Sequence, residues 1–203
     1  MALKFANNQS LTSTTALPSA VPTDNLILTS TQTASNSANI SFTTGLNGTY
    51  DVYEFKFINI QPSTNDATFQ FNGSTDSGSN YNVTKTTTFF HAYHDEGDTA
   101  TTLGYDTSSD LAQSTGYQTI HQGVGNTGSK NSGGSMQLFN PSSTTYVKHF
   151  ILNTNRQSSG GYSVNSYVAG YFNTTSAVNA INFKFDSGNI SSGTIKLYGV
   201  KKS

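Results

Sequence analysis

The sequence predicts an all-β protein: an antiparallel two-sheet, jelly-roll-like sandwich over residues 25–203, with an extended N-terminal arm over residues 1–24. Three observations carry this. Ser, Thr, Asn and Gly number 28, 30, 21 and 18, nearly half of the 203 residues, and they favour turns, caps and strand surfaces over helix interiors. Strong helix formers are sparse, with Glu only at positions 54 and 96. Apolar residues recur with a period of two, the spacing at which successive strand side chains return to the same face. The 13 Phe and 11 Tyr supply the bulk for a core, and a chain of this length closes one without covalent staples.

The arm is rich in Ser, Thr and Asn from Asn7 to Thr23 and carries Pro18 and Pro22. Its apolar residues, Leu3, Phe5, Leu11 and Leu17, are spaced too irregularly for a helix. It reads equally as an unstructured terminus and as a docking strap in which those four residues anchor on a neighbouring subunit.

Strand signals begin at residues 26–28, a short apolar run. Ile40 and Phe42 alternate with Ser41 and Thr43. In residues 50–59, Tyr53, Phe55 and Phe57 share one face, and Glu54 and Lys56 share the other as a surface ion pair. Phe69 and Phe71 follow, then the Thr- and aromatic-rich residues 86–93. Ile181, Phe183 and Phe185, then Ile195 and Leu197, close the series. The predicted core is Phe55, Phe57, Phe69, Phe71, Phe183, Phe185, Ile195 and Leu197. Residues 146–152 and 164–172 are apolar on both faces, as strands covered on two sides are. One face would join the core and the other a subunit interface, with Tyr146, Phe150, Tyr167 and Tyr171 as its candidates. Turns are expected at residues 46–48, 72–73, 160–161, 187–189 and 192–193, where Asn and Gly tolerate positive φ. About nine or ten strands result. The Gly-rich residues 95–135 read as one long irregular stretch.

Composition excludes several functions. The net charge is −1, and the Lys residues and the single Arg156 are scattered, so the clustered positive charge needed for nucleic-acid binding is missing. Cysteine is absent, which removes disulfides and thiolate chemistry. No apolar run approaches the ~20 residues of a membrane span, and residues 1–10 lack the apolar core of a secretory signal. Cytoplasmic synthesis without membrane insertion is expected. Seven Asn-x-Ser/Thr sequons match what so much Asn, Ser and Thr would give by chance.

The densest polar cluster holds His91, His94, Asp95, Glu96 and Asp98, all metal-ligand types. Strand alternation sends His91 and His94 to opposite faces, so a polar strand end is the favoured reading, and a metal held by His91, His94 and Asp95 is the alternative. Asp76 to Asn80 fits an oxygen-rich calcium loop or a plain hairpin loop. No Gly-x-Ser-x-Gly elbow occurs, no carboxylate pair is inferable, and the Gly-x-Gly-x-x-Gly match at 123–128 lacks its strand and helix. No catalytic residue and no cofactor is expected. Tyr81, Tyr105, Tyr117 and Tyr162 are loop candidates for sugar contact.

Residues 185–200, FDSGNISSGTIKLYGV, resemble the closing strand pair of structural proteins of marine and cyanobacterial tailed bacteriophages. Residues 53–62, YEFKFINIQP, resemble that family's early strand, and residues 69–81, FQFNGSTDSGSNY, its next strand and loop. The resemblance implies a jelly-roll homotrimer on the virion, as a capsid decoration or a tail or fibre component, that is not an enzyme and whose partners are itself, other virion proteins and, in the alternative of a receptor-binding adhesin, a host surface glycan.

Overall fold

The computed structural model describes residues 25–201. The predicted arm and its anchors Leu3, Phe5, Leu11 and Leu17 lie outside the described residues. Twelve strands occur among those described: β1 (Leu26–Ser37), β2 (Ile40–Phe42), β3 (Val52–Pro62), β4 (Ala67–Ser74), β5 (Lys85–Asp95), β6 (Thr101–Tyr105), β7 (Gln118–Val124), β8 (Ser132–Phe139), β9 (Lys148–Gln157), β10 (Tyr162–Phe172), β11 (Ala180–Phe185) and β12 (Ile190–Val200). They form two antiparallel sheets, one of eight strands in the order β1-β12-β3-β8-β9-β10-β5-β6 and one of four in the order β2-β11-β4-β7. The chain is thus an all-β sandwich, and it passes back and forth between the sheets as it runs.

Alternation along the strands builds the core. All eight predicted core residues are buried, from Phe55 to Leu197. Phe183, on the small sheet, is the hub. Its ring lies 5.2 Å from Phe55 and 5.2 Å from Phe57 on the large sheet, both near edge-on, and 6.1 Å and 6.3 Å from Phe69 and Phe71 beside it. Offset and edge-to-face contacts of this kind add to plain area burial. A second group joins Phe71 to Phe150 and Phe172, with Phe71 and Phe150 5.1 Å apart.

Four sequence expectations need correction. The run at 26–28 opens a twelve-residue strand, β1, that edges the large sheet and is mostly exposed; only Ala34 is buried, so little of the strand needs an apolar alternation. Residues 95–135 contain β6, β7 and the start of β8, strands that were hidden because polar residues fill positions usually held by apolar ones, as with Gln118 and His121 in the interior. Asn72-Gly73 is not a turn but the interior of β4: the Asn72 amide donates to the carbonyls of Tyr81 and Thr115, and a Cβ at Gly73 would stand 2.8 Å from the Phe172 ring. Gly193 likewise lies within β12, at a register shift against β3, with φ of 124°.

Truncating the hub removes contacts on both sheets. Phe183→Ala is expected to lower stability by about 3–5 kcal/mol, measured by urea unfolding; a variant that unfolds like the parent would contradict this packing.

Candidate functional site

Pairing register places a continuous set of side chains on the outer face of the large sheet. Ile151, Ala169 and Thr88 form one cross-strand row; Asn153, Tyr167, Phe90 and Tyr105 form the next; Asn155, Asn165, Ala92 and Leu103 form the third. Tyr167 stacks on Phe90 at 4.8 Å, nearly parallel. Leu103, Tyr105, Ile151 and Phe90 are 74%, 53%, 52% and 40% exposed. Four strands ~4.8 Å apart and three rows ~6.8 Å apart span roughly 400 Å², within which these apolar and aromatic side chains are interspersed with Thr88, Asn153, Asn155 and Asn165. Further along the face the character changes: Glu54, Lys56 and Lys196 lie over β3 and β12, and Lys56 donates to Glu54.

The sequence-predicted interface residues divide. Tyr167 and Tyr171 lie on the outer face, Tyr171 with its ring 5.9 Å from His149, and Tyr146 stands 70% exposed just before β9. Phe150 does not belong to this surface. It is fully buried between Phe71 and Phe172, because strand alternation sends it to the face opposite His149 and Ile151. In the single chain β9 buries Lys148, Phe150 and Leu152 and exposes the residues between them. Leu103 and Tyr105 were missed because their strand is short and isolated in sequence.

The polar clusters are tied up internally. His94 Nε2 lies 3.0 Å from Asp98 Oδ1. The Asp95 carboxylate accepts from Thr99 N, Thr99 Oγ1 and Ala100 N, at 2.8, 2.6 and 2.7 Å; these bonds close the β5–β6 hairpin and hold its pKa down, to about 2. His91 lies on the opposite face of β5, its ring 6.1 Å from Phe89 and from Tyr93. Among the described residues no three His, Asp or Glu side chains converge as metal ligands. Asp76 is likewise saturated, accepting from Ser74 Oγ, Asn80 N and Asn80 Nδ2. The sugar-contact candidates scatter: the Tyr105 hydroxyl donates to Asp110, that of Tyr117 to Asn182, the Tyr81 hydroxyl is buried without a partner, and Tyr162 meets Tyr93 edge-on at 5.3 Å.

Several polar side chains lie in the interior. Lys85 and Lys148 are fully buried and donate to backbone carbonyls, Lys85 to Val83 and Gly116, Lys148 to Thr174. Burial holds Lys85 down to about 8. His121 stacks 5.6 Å from Phe69. Burial, then the nearby Arg156 charge, lowers its pKa to about 3, so it is neutral at pH 7.

Comparison of the sequence with protein-family models and curated proteins, and of the fold with solved structures, returned no match.

Two outcomes follow from these clusters. His121 is protonated in the folded state only near pH 3, against ~6.5 when unfolded. Between these values the unfolded chain binds more protons, so stability falls as pH drops from about 6.5 toward 3. Urea unfolding between pH 7 and about 5.5, above the range where carboxylates titrate, should show this slope, and His121→Phe should flatten it. EDTA should leave the melting temperature unchanged; a drop reversed by zinc or calcium would contradict the self-satisfied loops at Asp76 and Asp95.

Proposed function

We propose that this chain is a structural protein of the surface of a tailed-phage virion, a capsid decoration or appendage head, that works by trimerising and by docking its N-terminal arm on other virion proteins. The observation that carries the assembly reading is the exposed surface over β9, β10, β5 and β6, with the stacked Tyr167 and Phe90 at its centre and Ile151 and Leu103 at opposite corners. Burying such a patch against another copy removes apolar surface from water at about 25 cal/mol per Å². A heterologous contact that closes after three copies satisfies every patch and leaves no open end for further growth. The sequence resemblance of residues 53–62, 69–81 and 185–200 supports the virion assignment. For the arm the support is compositional: its few apolar residues cannot offset the entropy of ordering it alone, whereas three arms on one trimer would raise the effective concentration for docking.

Light scattering coupled to size exclusion should give three times the chain mass at micromolar concentration, and Ile151→Asp combined with Leu103→Asp should yield a folded monomer. A stable monomeric parent would sink the reading. A chain starting at Asn25 should remain trimeric with a similar melting temperature yet fail to bind particles; particle binding equal to that of the full chain would remove the arm's role.

A further inference from the structure

Arg156, the one arginine of the sequence, is largely buried, and among the described residues no carboxylate lies within ion-pair distance of it. Its Nη1 makes a long hydrogen bond of 3.4 Å to the Gly123 carbonyl, and its Nε is buried with no partner. Asp66 is near enough to favour the charge, but its Oδ1 accepts from Ser159 Oγ at 2.8 Å. Two further buried polar atoms without partners, Thr154 Oγ1 and His121 Nδ1, belong to the same region: Thr154 precedes Arg156 by two residues on the same face of β9, and His121 feels the Arg156 charge. Buried polar groups almost always find partners; Asp66 offsets the charge from a distance, but the Arg156 Nε–H is left without one.

Beside this cation lies a cavity of about 220 Å³ lined by His91, Tyr93, Arg156, Ser158, Tyr162 and Val164. Arg156, Val164 and Tyr93 stand in one cross-strand row of β9, β10 and β5, so the sheet itself fixes three walls. Tyr162 closes the side, edge-on to Tyr93. No acidic residue lines the cavity, and Arg156 is its single permanent cation. Arg156 also borders a second hollow that holds Asp95 and Glu96, but neither acid pairs with it: Asp95 is engaged by Thr99 and Ala100 and Glu96 by Gln157.

We infer that this cavity binds a small sugar acid, with Arg156 taking the carboxylate and the contacting pair Tyr93 and Tyr162 forming one wall beside the ring. One planar guanidinium matches one carboxylate in both charge and geometry; a phosphate or sulfate diester chain would call for further cations that the cavity lacks. The tyrosine rings offer faces for the C–H side of a pyranose, and the tyrosine and serine hydroxyls and His91 offer partners for its hydroxyls. The volume is below the ~300–1,000 Å³ of clefts for drug-sized ligands, so it suits a single ring. The site belongs to one protomer and stands independently of trimer formation.

Calorimetric or saturation-transfer NMR titration of the full chain with D-glucuronate, D-glucose and acetate tests it. Glucuronate should bind saturably, glucose not at all, and acetate more weakly than glucuronate. Arg156→Gln should weaken glucuronate binding by about tenfold or more, the worth of a charge-assisted hydrogen bond. Should that variant fail to fold, Tyr162→Ala, which removes a half-exposed wall and keeps the cation, should weaken glucuronate more than acetate. Absence of saturable glucuronate binding, equal binding of glucose or acetate, or variants that bind like the parent would each overturn the assignment.

Discussion

The packing of Phe183 against Phe55 and Phe57 fixes how the two sheets lie on each other. These are contacts between rings on opposite sheets, and edge-to-face geometry tolerates little sliding. A one-residue slip of β11 would turn Phe183 outward and carry Asn182, which bonds Asn39, Ser41 and Tyr117, into the apolar layer. Both penalties act in the same direction, so register is set by the core and the polar edge together. With the sheets locked there, β9, β10 and β5 extend beyond the hub, and their outer face is left without a cover.

The polar economy of the molecule follows from its scarcity of charge. Salt bridges are few among the described residues, and one of the two involves a histidine. Loops are instead closed by short hydroxyl and carboxylate bonds to nearby backbone, as at Asp76 and Asp95, and buried strands are held by amides, as where Gln118 accepts from Thr87 Oγ1 and donates to Ser109 O. Side chains of this kind compete for backbone groups locally, and that is why the same residues that read as loop in the sequence are found inside the sandwich.

Legibility in the sequence tracks this division. The aromatic strands β3, β4, β11 and β12 were readable because each presents one apolar face to the core and one polar face to solvent, and the burial of Phe55, Phe69, Phe183 and Leu197 follows the alternation. β7 is not readable, since its inward residues include the polar Gln118 and His121, whose neighbours are distant in sequence, and β6 is short and mostly exposed. β1 was read too short for the complementary reason that little of it is buried. On the surface, apolar excess marks Tyr167 and Tyr171, which lie on the outer face, but that same excess does not assign faces, and Phe150 belongs within. The cavity beside Arg156 gave no sequence signal beyond the rarity of the residue, because its lining comes from three strands that meet only through register.

The pairing of β1 with β12 sets how the protein bears load. Leu26 pairs with Val200, and Lys201 N donates to Asn25 O at 2.9 Å, so the two ends of the described chain sit side by side at one corner. A force pulling those ends apart would peel the strands open one hydrogen bond at a time. A force entering through the body of the sheet and leaving along β1 would meet the rungs from Leu26 to Ser37 in parallel, as shear. The same antiparallel pair is mechanically weak in the first direction and strong in the second.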